Sequence, residues 1–297
     1  MTKTRVGTGI TLDGMLPALE WVQAETGRRV VSTRKLRGGL TSEVGALTLD
    51  DNSSLVLKCY ESRQQASLIS HEADVLRRLA RADIPAPRFV AASPIGEQPR
   101  LLMTRVPGRI WLTPRDPKDW VQELAASLAR IHDVPISANP GDPAHDAVAW
   151  LELPAWTSRR TLWERTREIL KQPPSAYRTT FTHGDYQHFN VLWSRRRISG
   201  VLDWCGAGPG HPDADAAHCR LNLAILFSVD VAEQFREAYE ATKGSPLDPW
   251  WDLHGLTSYD NQWKHFIPLQ VAGRARVDAA GMDDRVEGLM ARTLTRL

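Results

Sequence analysis

The segment from Phe181 to Trp204, FTHGDYQHFNVLWSRRRISGVLDW, constrains this chain more than any other. Its first half carries His183-Gly184-Asp185 and then Asn190, five positions after the aspartate. Its second half holds two short apolar runs, Phe189 to Trp193 and Ile198 to Asp203, on either side of Ser194-Arg195-Arg196-Arg197. Short apolar runs around a polar cluster predict a β-hairpin. An aspartate and an asparagine at that spacing can share one loop mouth, and a hairpin can return Asp203 to the same edge. The segment therefore predicts three convergent oxygen-bearing side chains. Asp185 and Asn190 are also residues that cap turns and helices, so spacing alone leaves that plainer role open.

The flanking sequence differs on the two sides of Val106-Pro107-Gly108. Before it, Leu16 to Thr26 has helical spacing and Arg29 to Leu36, Val44 to Leu49 and Leu55 to Tyr60 read as strands. Gly38-Gly39 and Asp50-Asp51-Asn52-Ser53 supply the turns, which makes an antiparallel meander. A helix over Ala66 to Ala82 ends before Pro85-Ala86-Pro87, and Arg88 to Ala92 and Arg100 to Met103 predict two more strands. Beyond the boundary the chain is mainly helical, with helices predicted over Lys118 to His132, Asp215 to Phe227 and Val231 to Thr242. The expected fold is α+β: a β-rich N-terminal lobe over 1–105 and a mainly helical lobe over 106–297. Those sizes are normal for domains.

Composition removes several classes of partner. Lys+Arg 37 against Asp+Glu 35 leaves a formal net charge of +2, which gives no support for a nucleic-acid binder. The Arg195 to Arg197 run reads as a solvated turn. Three cysteines without CxxC spacing argue against a secreted disulfide framework and a structural zinc site. His188, His211 and His218 likewise lack zinc-ligand spacing. The most apolar stretch, Leu221 to Val229, is too short for a bilayer, and the first residues lack a signal-peptide core, so a cytoplasmic protein with no membrane partner is expected. The sequence is silent on oligomeric state.

Phosphoryl transfer needs a carboxylate that orients or deprotonates an attacking hydroxyl, and oxygen ligands that hold Mg²⁺ against nucleotide phosphates. HGDYQHFNVLW followed by GVLDW supplies those groups, and it resembles the catalytic signature of the aminoglycoside phosphotransferase and choline kinase-like family, relatives of the protein kinases. The resemblance spans nearly the whole chain. RGGLTSEV resembles the family's nucleotide loop, VLKCY its lysine strand, SHEADVLRRLARADIPAPRFV the helix of the lysine's glutamate partner, LLMTRVPGRIW the inter-lobe hinge, and GPGHPDADAAH the segment after the metal aspartate.

That resemblance implies a protein-kinase-like bilobal fold binding ATP or GTP with Mg²⁺. It implies Lys58 on the α- and β-phosphates with Glu72 as its ion-pair partner, and Gly39, Thr41 and Ser42 around the phosphates. Met103, Thr104 and Val106 would meet the purine. Asp185 would be the base or orienting carboxylate, His183 would orient its loop, and Asn190 and Asp203 would hold Mg²⁺. Asp215 would brace the loop, with Asp213 as the alternative and a helix cap as the plain role of either. Cys205 is expected to be a buried spectator. The chain departs from the protein kinases at Asp203-Trp204-Cys205-Gly206, where they carry DFG.

The implied activity is O-phosphotransfer to a hydroxyl of a small, cationic acceptor of the aminoglycoside or other antibiotic type. Alternatives are a metabolic choline- or amino-alcohol-type kinase and an inactive nucleotide-binding regulatory module. Asp248, Trp250, Trp251, Asp252, Tyr259, Asp260 and Trp263 combine carboxylates and aromatic faces that suit an ammonium group. Aromatic residues so placed also pack helix on helix, and burial is the favoured role for these tryptophans.

Overall fold

The computed structural model describes residues 12–36, 42–60, 65–93, 98–136, 152–175 and 179–297. The chain divides into two compact units, Met1–Pro107 with Gly200–Cys205, and Gly108–Ser199 with Gly206–Leu297.

The first unit is built on a five-stranded antiparallel sheet. Its strands are β1 (Val30–Lys35), β2 (Ser42–Leu49), β3 (Ser54–Tyr60), β4 (Phe89–Ser93) and β5 (Arg100–Thr104), in the order β1-β2-β3-β5-β4. The central strand β3 sets Lys58 opposite Val44 on β2 and Leu101 on β5. Helix α1 (Leu12–Thr26) brings Ala18 and Val22 onto a core of Leu47, Leu49, Leu55, Leu57, Ala91 and Leu102. Helix α2 (Ala66–Leu79) buries Ile69, Glu72, Ala73 and Leu76, a stripe at i, i+3, i+4 and i+7. Glu72 thus occupies an apolar position on its helix, and a carboxylate there needs a partner.

The second unit contains α3 (Pro117–His132), α4 (Arg160–Leu170), β6 (Thr180–Thr182), β7 (Val191–Ser194), β9 (Gly208–Gly210), α5 (Pro212–Leu226), α6 (Val229–Lys243), α7 (Pro249–Leu256), α8 (Trp263–Val271) and α9 (Met282–Leu294). Strand β8 (Arg197–Val201) pairs with β7 and runs on into the residues grouped with the first unit. Helix α5 is buried along most of its length and packs against α6, α7 and α9. Good caps start the helices: Asp116 accepts the Lys118 N–H, Ser228 the Val231 N–H and Asp248 the Trp250 N–H. Glu287 on α9 is buried, yet it accepts hydrogen bonds from the Thr157 and Ser158 hydroxyls and from Trp163 Nε1.

The structure moves some predicted boundaries. Helix α5 begins at Pro212, not Asp215, because the His211 side chain accepts the Asp213 N–H and proline suits a first turn. The sequence reading missed β9, whose Gly-Pro-Gly has no strand propensity and pairs with β6 through its backbone. It also missed α7, whose apolar residues surround the axis and leave no amphipathic period. Gly108 has φ 123, and a Cβ there would lie 2.3 Å from Ser199 Oγ, so the boundary glycine answers a steric need.

Candidate active site

Within the first unit, Lys58 Nζ lies 2.9 Å from Glu72 Oε2 and 2.7 Å from Asp203 Oδ1. Lys58 is 6% exposed and Glu72 1%. Burial alone would lower the ammonium's pKa, but the Glu72 and Asp203 carboxylates outweigh it and hold Lys58 well above the usual lysine value. The other Glu72 oxygen accepts the Trp204 N–H at 3.2 Å, and Trp204 Nε1 donates to Val201 O at 2.9 Å. The Val201 N–H reaches Pro85 O at 2.7 Å. These bonds tie the segment Gly200–Cys205 to β3 and α2.

Asp203 adopts φ 64, the left-handed region that aspartate tolerates better than most residues. Cys205 Sγ sits 3.4 Å from Asp203 Oδ1, and burial pushes its thiol up to about 12, so it carries no thiolate at neutral pH. Met103 is buried on β5, beside Thr104, whose Oγ1 accepts the Arg88 N–H at 2.8 Å. Val106 lies in the loop after β5, and Ser42 opens β2 opposite Tyr60. Gly39 and Thr41 lie outside the described residues.

In the second unit, the loop after β6 is fixed by Asp215. The His183 and Gly184 N–H groups donate to its two oxygens at 2.6 and 2.8 Å. Asp215 is fully enclosed; burial would raise its carboxyl, but the His132 hydrogen bond and charge, with His183, hold it below the usual carboxylate range. Asp213, the alternative brace, instead pairs with Lys243 and accepts the Asp248 N–H at 3.0 Å. Gly184 has φ 80, and a Cβ there would fall 2.2 Å from Gly206 O. Only glycine fits this turn.

The Asp185 N–H donates to His183 Nδ1 at 3.2 Å. Its carboxylate accepts Gln187 Nε2 at 2.7 Å and His218 Nε2 at 2.8 Å on Oδ1, and Asn190 Nδ2 at 2.9 Å on Oδ2. Asn190 Nδ2 also donates to the Asp185 carbonyl at 2.9 Å. Two acceptors on one side fix the amide: nitrogen faces Asp185 and Oδ1 faces away from it. His218 was read in the sequence only as an unlikely zinc ligand. The signal that finds it is its place three residues after Asp215 on α5, hence on the same helix face.

His188 is fully buried between the Trp120, Phe189 and Phe227 rings, and neither ring nitrogen has a partner among the described residues. Burial lowers its pKa to about 3. His211 caps α5. Trp250 and Trp251 are 6% and 5% exposed and pack with His254 and His211. Asp248 caps α7, Asp252 is engaged by Arg220 and Arg296, and Asp260 accepts the Gln262 N–H. Half-buried Trp263 differs, its ring centroid 6.3 Å from that of His218.

An antiparallel sheet with a buried lysine–glutamate pair, and a helical unit holding an HxDxxxxN loop, are the parts of a protein-kinase-like α+β fold. Solved structures share that fold at low identity. Macrolide 2'-phosphotransferase MphH from Brachybacterium faecium is 20% identical with TM-score 0.62, over 92% of this chain and 98% of that one. A thermostable mutant of aminoglycoside phosphotransferase APH(4)-Ia, in ternary complex with AMP-PNP and hygromycin B, is 18% identical with TM-score 0.64, over 94% and 99%. Macrolide 2'-phosphotransferase type I is 19% identical with TM-score 0.58, over 97% and 99%. No curated protein matches the chain. The molecule is a phosphotransferase with an alcohol group as acceptor. Residues 32–254 match the phosphotransferase enzyme family (APH), and the chain belongs to that family.

Proposed function

We propose that this chain is an ATP- and Mg²⁺-dependent O-phosphotransferase of the cytoplasm that modifies a hydroxyl of an antibiotic-like small molecule. The observation that carries the reading is the Asp185–Asn190 pair, in which the Asp185 carboxylate and carbonyl hold the amide nitrogen and so dictate which way the amide oxygen faces. The nucleotide follows from the AMP-PNP complex of APH(4)-Ia, and the acceptor class from the hygromycin B in it and from the macrolide in the name of MphH.

The donor set fits magnesium. Asn190 Oδ1 is turned away from Asp185, and the Asp203 side chain is 42% exposed although Lys58 engages its Oδ1. Amide and carboxylate oxygens are hard ligands of the kind Mg²⁺ takes together with phosphates. An ion on ligands of this kind would neutralise charge on the nucleotide phosphates. Lys58, kept charged by Glu72, presents a buried ammonium to the α- and β-phosphates. Asp185 takes the hydroxyl's hydrogen and aligns its oxygen with the γ-phosphorus, while His183, Gly184 and Asp215 keep the loop in place. Ser42, Met103, Thr104 and Val106, with Gly39 and Thr41, complete the proposed nucleotide set. Asp252 is neutralised by Arg220 and Arg296, so a cationic acceptor would draw on other carboxylates.

Asp185→Asn tests the assignment. Turnover should fall about 10²- to 10⁴-fold, with Mg-ATP affinity nearly unchanged. Wild-type turnover in that variant means Asp185 is not the base. A γ-phosphate transfer screen over aminoglycosides, macrolides and amino alcohols, read by mass, identifies the acceptor; transfer to amino alcohols alone assigns a metabolic kinase instead.

A further inference from the structure

We infer that His218 is a positioning residue for phosphoryl transfer, fixing the Asp185 carboxylate so that a single lone pair on Oδ2 is left for the acceptor hydroxyl. The inference rests on the proposed role of Asp185 and deepens it. A carboxylate offers about four acceptor sites, two on each oxygen. Gln187 and His218 fill both sites of Oδ1, at 2.7 and 2.8 Å, and Asn190 fills one of Oδ2, at 2.9 Å. Among the described residues nothing takes the remaining acceptor site, beside the asparagine amide. An incoming hydroxyl is thereby directed to one oxygen and one side of the group.

Helix α5 imposes this twice. Asp215 takes the His183 and Gly184 N–H groups and sets the path of the loop backbone. His218, one turn further along the same face, sets the torsion of the Asp185 side chain. The helix is braced at this point: Asn222, 1% exposed, donates through Nδ2 to the His218 carbonyl at 3.0 Å. The Trp263 ring lies at 62° to the imidazole. Since Asp185 Oδ1 can only accept from an N–H, His218 carries a proton on Nε2. Gln187 shares Oδ1, but it belongs to the same loop as Asp185 and moves with it. Among the described residues, His218 alone ties the carboxylate to an α-helix.

The test uses the full chain, Mg-ATP, and water as the acceptor, with released phosphate as the readout. His218→Ala should lower kcat about 10- to 100-fold, as a misplacement near 1 Å can, with KM for Mg-ATP within about two-fold. His218→Gln, which keeps an N–H donor, should restore a large part of the loss. Independently, imidazole ¹⁵N spectra should show His218 protonated at Nε2, identified by its absence in His218→Ala, and that signal should shift in Asp185→Ala. Wild-type kcat in His218→Ala, no advantage of glutamine over alanine, or a signal indifferent to Asp185→Ala each overturns the inference. Failure of the base assignment looks different: Asp185→Asn then keeps its turnover while the His218 signal still responds to Asp185→Ala.

Discussion

The Lys58–Glu72–Asp203 triad shows what a single position must satisfy. Lys58 is one of only seven lysines, and its place between apolar strand residues signalled a partner before any geometry was known. The convergence of Asp185 and Asn190 was legible in their five-residue spacing. His218 was not, because its hydrogen bond joins a loop to a helix 33 positions away and is foreshadowed only by its place one turn after Asp215. His188 is the residue that runs against expectation, a neutral imidazole in an aromatic pocket with no hydrogen-bond partner among the described residues. Its pKa is about 3 in the fold, against about 6.5 in an unfolded chain. Between those values the unfolded state binds more protons, so stability rises with pH through the window and is lost as pH falls below about 6.5, by up to about 1.4 kcal/mol per unit. Urea unfolding between pH 4 and 7 should show that slope in the wild type and a flatter one in His188→Phe.

Elements were legible where their residues alternate or recur and opaque where burial is complete. The meander of β1 to β3 and the amphipathic α2 and α3 follow their sequence periods. Helix α5 is enclosed on all sides and has little period to read. The hairpin of β7 and β8 was recognised from its apolar runs, yet its turn places Arg195 and Arg196 at φ 49 and 64, positions that glycine and asparagine usually hold. Helix α9 is bound to the segment before α4 through Glu287, which collects the Thr157 and Ser158 hydroxyls and Trp163 Nε1. Burial acts to raise this carboxyl, but those hydrogen bonds hold it below the usual range. Glu287→Ala leaves Trp163 Nε1 buried without an acceptor, which should cost about 1–3 kcal/mol in chemical unfolding at neutral pH. A depressed carboxylate contributes above its unfolded pKa and loses that contribution as pH falls through its folded value. The difference between wild type and variant should therefore shrink below about pH 4.

At the scale of the whole molecule, no helix among the described residues is long and apolar enough to cross a membrane. The proposed function makes one prediction for the entire chain. Mg-ATP at a hundred times its Kd should stabilise the fold by about 2.7 kcal/mol, read as a rise in melting temperature. Lys58→Met should remove most of that rise, and a wild type unmoved by both Mg-ATP and Mg-GTP would leave the nucleotide reading without support. The two units are not consecutive halves of the chain: Gly200–Cys205 belongs with the first although the second surrounds it in sequence. Each unit is therefore encoded in separate stretches, and no single crossover between two genes can exchange one unit intact. A recombinant that kept residues 1–107 and replaced everything after them would bring a foreign aspartate to Lys58, so the triad and its six-residue strap must be inherited, or transplanted, together.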